Sequence, residues 1–229
     1  MVPPRGDRAS GEGRPAAAAQ AVYIYTASGV VQGKIDMENG RNVVDVGWTD
    51  TENLMVLCDD GHLLLYDSLG SMLGAKILLI DDVVDASIAE VRFWGDGAVA
   101  LTSDMRLWVL EGVAGIERGK TSHACLSKSR FSSGQWQDRH YTCMAIIPPH
   151  LTRLGTVEVV LCTSDCSIVV VDKSGPEDQL LSDRLPSPVM RLDFAPSGRF
   201  AACFRSDGTV TVLSSSFTQK ILDFDTQSP

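Results

Sequence analysis

The stretch DDGHLLLYD, residues 59–67, decides the fold. Asp60-Gly61 has the chemistry of a tight hairpin turn, because Gly tolerates positive φ and Asp hydrogen-bonds its own backbone. The run Leu63-Leu64-Leu65-Tyr66 that follows is a strand of an uncommon kind. A strand with one face in water alternates apolar and polar residues, whereas four successive apolar side chains need cover on both faces.

The same pattern recurs three times. Asp104 leads Leu107-Trp108-Val109-Leu110, Asp165 leads Ile168-Val169-Val170-Val171, and Asp207-Gly208 leads Val210-Thr211-Val212-Leu213. The four aspartates are separated by 44, 61 and 42 positions. A unit of about 40–45 residues is the period of a β-propeller blade. Blades stack face to face around an axis, so their middle strands are covered on both sides. Each copy also has an apolar run before its Asp: Leu54 to Cys58, Ala98 to Thr102, Val157 to Cys162 and Phe200 to Phe204. Alternating strands ending in an aromatic residue lie further upstream at Val44-Val46-Trp48, Val91-Phe93 and Met190-Leu192-Phe194; the third copy has Pro148-Pro149 there instead. The expectation is an all-β, WD-like propeller of antiparallel strands, incomplete, with about four to five blades. Turns are predicted at Asp59–Gly61, Ser103–Met105, Ser164–Cys166 and Asp207–Gly208.

Val22-Tyr23-Ile24-Tyr25 aligns with Leu63-Leu64-Leu65-Tyr66, so the repeat is entered part-way through a unit. The reading is therefore a partial propeller over 21–229, taken as a piece of a larger parent, preceded by a disordered tail of Pro, Gly, Ala and Arg over 1–20. The long spacing between Asp104 and Asp165 places a polar insertion within Ile116 to Tyr141. It carries Arg118, Lys120, Lys128, Arg130 and Arg139 against Glu117 and Asp138, with Trp136 among them. Arg118, Lys120, Lys128, Arg130 and Trp136 are candidates for contact with an acidic protein face or anionic lipid, set against a plain solvated loop.

Composition bounds the rest. Hydrophobic residues make up 44% and charged residues 21% of the 229, with a net charge of −9. An acidic chain is a poor partner for nucleic acid. No apolar run approaches the roughly 18 residues of a membrane-spanning helix, and Ala16 to Ala19 is too short for a signal-peptide core. Cys58, Cys162 and Cys203 sit in apolar strands, where free Cys packs as a small hydrophobe, so reduced thiols on the cytosolic side of a membrane are expected. Cys162 and Cys166 lack the second pair that a zinc site needs. Asp59-Asp60 reads as a turn and Asp81-Asp82 as an inter-blade loop. His62, His123, His140 and His150 are scattered, and neither a nucleophile elbow nor a phosphate- or dinucleotide-binding fingerprint occurs. No catalytic residue, cofactor or metal is expected.

Residues 22–70, VYIYTASGVVQGKIDMENGRNVVDVGWTDTENLMVLCDDGHLLLYDSLG, resemble the N-terminal region of the vacuolar protein sorting protein 16 family. The family's segments appear here as Ile24 to Gly29, Val43 to Trp48, Asp50 to Glu52 and Asp59 to Tyr66; residues 97–110 and 199–224 resemble later parts of the same propeller. The resemblance implies a non-catalytic scaffold subunit of the HOPS and CORVET membrane-tethering complexes, acting in vesicle-mediated transport to the vacuole or lysosome. It implies other class C sorting subunits as partners, and an SM-family SNARE chaperone bound through a C-terminal α-solenoid absent from these residues. It also implies a cytoplasmic protein peripheral to late endosomes and vacuoles. A WD-like adaptor for another complex is the second reading, although Trp108 is followed by Val109 rather than the Asp of regular WD repeats. A propeller enzyme is the third.

Overall fold

The computed structural model describes residues 20–37, 40–77, 87–118, 122–125, 140–172, 175–178 and 184–226. Its strands form one two-stranded and four four-stranded antiparallel sheets, each a simple meander. The first sheet pairs β1 (Ala21–Tyr25) with β2 (Val31–Asp36). The second contains β3 (Val43–Trp48), β4 (Leu54–Cys58), β5 (His62–Tyr66) and β6 (Met72–Ile77). The third contains β7 (Ile88–Trp94), β8 (Gly97–Thr102), β9 (Leu107–Glu111) and β10 (Ser122–Cys125). The fourth contains β11 (Tyr141–Ile147), β12 (Glu158–Thr163), β13 (Ile168–Asp172) and β14 (Gly175–Asp178). The fifth contains β15 (Val189–Phe194), β16 (Phe200–Arg205), β17 (Thr209–Ser214) and β18 (Lys220–Asp225).

The first strands of neighbouring sheets meet in sequence, β3 against β7, β7 against β11 and β11 against β15, so they line the axis. β1 and β2 pack on β4 and β5 of the next sheet: Ile24, Ile35 and Met37 share a core with Leu54, Val56, Cys58, Leu64 and Tyr66. They hold the positions of a third and a fourth strand, as the alignment of Val22–Tyr25 with Leu63–Tyr66 requires. The architecture is an open arc of four full propeller blades plus the outer half of another.

The repeated Asp acts in the turn between the second and third strands. Asp60 accepts a hydrogen bond from the His62 N–H (3.1 Å) and Asp207 from the Thr209 N–H (3.0 Å), while Asp104 and Asp165 accept from the hydroxyls of Thr102 (2.5 Å) and Thr163 (2.6 Å). The next residue takes positive φ in all four turns: Gly61 79°, Met105 64°, Cys166 66° and Gly208 82°. Cys166 thus stands in a glycine position, which accounts for its place without a metal. The turns at 59–61, 103–105 and 164–166, and that around Asp207–Gly208, all form. In every blade a residue of this turn also donates to the carbonyl just before or at the approach to the first strand: Asp59 to Asn42, Ser103 to Ser87, Ser164 to His140 and Ser206 to Pro188, at 2.8–2.9 Å. A register shift follows near the start of each first strand, at Val43/Asp45, Ile88/Glu90, Tyr141/Cys143 and Val189/Arg191. Such bulges add twist, which a blade needs to turn its inner strand toward the axis.

Two features depart from the sequence reading. The third full blade has a complete first strand, β11, ending at Ile147; Pro148 and Pro149 lie just beyond it in a short 3-10 turn, Pro149–Leu151, where their missing N–H groups cost no ladder bond. Within the stretch read as an insertion, Ser122–Cys125 is the outer strand β10, in register with Trp108 to Glu111 of β9. The tail 1–19 and the Asp81-Asp82 loop lie outside the described residues.

Candidate functional surface

Of the five contact candidates singled out from the sequence, Arg118 alone lies among the described residues. Arg118 ends the 3-10 turn Val113–Arg118 that follows β9; Lys120, Lys128, Arg130 and Trp136 lie outside the described residues. Among the described residues there is no cluster of three or more His, Cys, Asp or Glu placed to hold a metal ion, and no helix long and apolar enough to cross a membrane. Cys58, Cys143, Cys162 and Cys203 are buried free thiols and Cys166 is a half-buried one. Burial pushes the Cys58 thiol up to about 11 and the Cys203 thiol up to about 12, so neither is a ready nucleophile at neutral pH.

The first strands carry a polar clasp beside the axis. Glu90 on β7 pairs with Arg92 and accepts from the Met144 N–H of β11 (3.1 Å); the Arg92 Nε donates to the Met144 carbonyl (3.0 Å). Burial raises the Glu90 pKa despite the Arg92 charge. Its partners are backbone groups of the adjacent blade, so the clasp joins blades. It offers no reacting group. The next joint, β11 to β15, uses the Thr142 hydroxyl and the Cys143 thiol, both donating to the Val189 carbonyl. The joint between β3 and β7 is made by shape: a Cβ at Gly47 would lie 2.4 Å from the Phe93 ring.

Concavities among the described residues include a cleft at one rim and a hollow between two outer strands. A cleft of about 550 Å³ opens at the loops joining first and second strands, lined by Phe93, Trp94 and Pro148 with Asp50, Asp96 and His150 at its polar wall. Asp96 is engaged by the Ala114 N–H (2.8 Å). A second, of about 390 Å³, lies between β2 and β6, lined by Lys34, Arg41, Tyr66 and Met72. Its cations are spent on Asp36 (2.6 Å) and Asp60 (2.6 Å). Neither holds a nucleophile with an orienting base.

The surface that stands out is apolar. On the last sheet Met190, Phe200, Phe204, Ile221 and Phe224 are each more than 40% exposed. At the opposite end of the arc, Tyr23, Tyr25 and Val31 of the two-stranded sheet, with Val44, Val46 and Trp48 of β3, are exposed as well. These are sheet faces with ordered strands behind them, fit for packing against polypeptide. The sequence marked Val44, Val46 and Trp48 as an alternating strand, and alternation ordinarily points the apolar set inward. Here Gly47 faces the neighbouring blade and the apolar set faces outward.

Residues 7–229 match the family model described as Vps16, N-terminal region. The chain belongs to that family. A vacuolar protein sorting-associated protein 16 homolog of Dictyostelium discoideum is 23% identical over 193 residues, covering 83% of this chain and 22% of the relative. Protein VACUOLELESS1 of Arabidopsis thaliana is 20% identical over 221 residues, 90% of this chain and 25% of that protein. A probable vacuolar protein sorting-associated protein 16 homolog of Schizosaccharomyces pombe is 26% identical over 186 residues, 80% of this chain and 20% of that protein. The chain therefore spans a quarter or less of these relatives. Among solved structures, the β-propeller domain of Myceliophteria thermophila Cps50 (Swd1) superposes with a TM-score of 0.58 at 14% identity, over 85% of this chain and 59% of that one. A chain of the mitotic checkpoint complex superposes at 0.60 and 14%, over 92% and 59%. These likenesses are of fold alone.

Proposed function

We propose that this Vps16-family chain is propeller sequence of a non-catalytic scaffold subunit in vacuolar protein sorting, of the HOPS/CORVET tethering type. The family match over residues 7–229 carries this reading, since relatives matched across most of the chain bear vacuolar sorting names. The physical character of the molecule supports it: blades packed on one another and exposed apolar sheet faces suit a protein that holds other proteins. On this reading its partners are the other class C sorting subunits and, through helical sequence outside residues 1–229, an SM-family SNARE chaperone. Its place is then the cytoplasmic face of late endosomes and vacuoles, reached through the complex.

The test is a replacement in fission yeast. The segment of the S. pombe relative that aligns with this chain is exchanged for residues 21–226, and vacuolar cargo sorting and co-purifying subunits are measured. The reading expects sorting to be restored and class C subunits to be recovered. A folded, stably expressed chimera that recovers neither contradicts it.

A further inference from the structure

The rim cleft beside Phe93 and Trp94 is built by three consecutive blades. Asp50 comes from the β3–β4 loop, Phe93 to Asp96 from the end of β7 and the turn after it, and Pro148 and His150 from the stretch between β11 and β12. Its aromatic floor is held from behind: a Cβ at Gly47 would lie 2.4 Å from the Phe93 ring, and one at Gly97 2.1 Å from the Trp94 ring. Gly95 makes room for charge in the same way, since a Cβ there would meet the Asp50 carboxylate at 1.9 Å. The Asp50 N–H donates to the Gly95 carbonyl (2.9 Å) and ties the two loops together.

The carboxylates of this cleft lack cations. Asp96 accepts from the neutral Ala114 N–H (2.8 Å), which fixes the carboxylate and leaves its charge. Among the described residues no Lys or Arg lines the cleft, and neither Asp50 nor Asp96 forms an ion pair. Asp36, Asp60, Asp104 and Asp207, by contrast, each pair with a Lys or Arg. Glu111, a third carboxylate of the lining, is already engaged. Unneutralised charge beside an indole, in about 550 Å³ of space, suits a cation with a flat body. A guanidinium is planar, stacks on aromatic rings and donates to carboxylates at the same time.

We propose that this cleft binds a short extended segment of a partner protein through an arginine, with the guanidinium stacked on Trp94 and donating to Asp50 and Asp96. An apolar residue next to that arginine packs on Phe93, Ile146 and Pro148. The floor is held before the segment arrives, so binding orders little of the protein. A free cation gains only the charge, whereas a peptide also covers the apolar floor. Anionic lipid is repelled by the same carboxylates that attract the arginine. The site follows from the geometry of the cleft and does not depend on the tethering reading.

The experiment titrates residues 1–229 into fluorescein-labelled Gly-Leu-Arg-Leu-Gly-amide and reads anisotropy. Saturable binding is expected, weakened about tenfold when citrulline, of like shape and no charge, replaces the arginine. Asp50→Asn and Asp96→Asn should each weaken it about fivefold. Both substitutions keep the side-chain shape, and the urea midpoint checks the fold; where the midpoint falls, the citrulline peptide decides. Asp36→Asn removes the same charge from β2, outside the cleft, and should leave the affinity unchanged. Equal weakening by Asp36→Asn, equal affinity for the citrulline peptide, or no saturable binding overturns the proposal. So does competition by arginine amide alone as strong as that by the unlabelled peptide, which identifies a small cation as the occupant.

Discussion

β8 and β16 occupy the same position in their blades and meet opposite surroundings. All six residues of β8, Gly97–Thr102, are buried, because blades cover the sheet on both sides. β16, Phe200–Arg205, is alternately exposed and buried, with Phe200, Ala202 and Phe204 facing out. Their sequences do not differ in the same way. Up to their closing Thr102 and Arg205, GAVALT and FAACFR are both apolar on both faces, and FAACFR places its two Phe side chains on the exposed one. A strand evolved for water on one face alternates apolar with polar residues. β16 has the sequence of a covered strand and the exposure of an end strand, so the difference lies in the neighbours and not in the residues. The same holds for β3, whose Val44, Val46 and Trp48 face outward.

The comparison implies unequal mutational costs. Leu107→Ala in β9, at a side chain 0% exposed between two blades, should cost about 2–5 kcal/mol in urea unfolding. Phe200→Ala, at 42% exposure, should cost under about 1 kcal/mol in residues 1–229, since little contact is lost. Equal costs would erase the distinction between the middle and the end of the arc.

Acid should act on turns before cores. Asp207 is held at about 2 by the Ser187 hydroxyl and the Thr209 N–H, and Asp60 and Asp104 are also lowered through hydrogen bonds and arginine partners that outweigh their burial. A carboxylate lowered in the folded state contributes stability above its ordinary pKa near 3.8, and that stability is lost as pH falls toward the folded value. Stability should therefore decline between about pH 5 and pH 2, and Asp104→Asn should flatten the decline. Glu90, raised by burial, runs the other way: its burial favours the protonated form, so Glu90→Gln should reduce the destabilisation that appears as pH rises through its folded pKa. A decline of unchanged slope in Asp104→Asn would remove the turn from the account.

The smallest effect concerns the turn glycines. Cys166 has φ 66° where two sister turns carry Gly61 and Gly208. Cys166→Gly relieves a left-handed non-glycine residue at some entropic cost, for a net gain of about 0.5 kcal/mol. A loss of stability would show that the side chain contributes more than its strain costs.

Much of the fold was legible because one short-range pattern, the Asp followed by four mostly apolar residues, repeats at blade spacing and fixes turn, strand and two-sided burial together. β11 was obscured because Pro148-Pro149 replace the usual aromatic ending, and β10 because a four-residue outer strand, Ser122–Cys125, carries no apolar alternation. The surface was less legible. Whether Phe204 or Trp48 is core or surface depends on a neighbouring blade, and no local pattern records that. The Phe93–Trp94 cleft was signalled only by Gly95 and Gly97, where added Cβ atoms would meet Asp50 at 1.9 Å and Trp94 at 2.1 Å.

The most direct test is sedimentation of residues 1–229 across protein concentration, with and without Phe200→Lys and Phe204→Lys. Apolar faces of this kind associate, because each Å² removed from water contributes about 25 cal/mol. The account predicts concentration-dependent association of the unaltered chain, weakened in the double variant while the urea midpoint stays unchanged. A unaltered chain that remains monomeric at every concentration, with cooperative unfolding, would contradict it, and would mean that these sheet faces are stable in water as they stand.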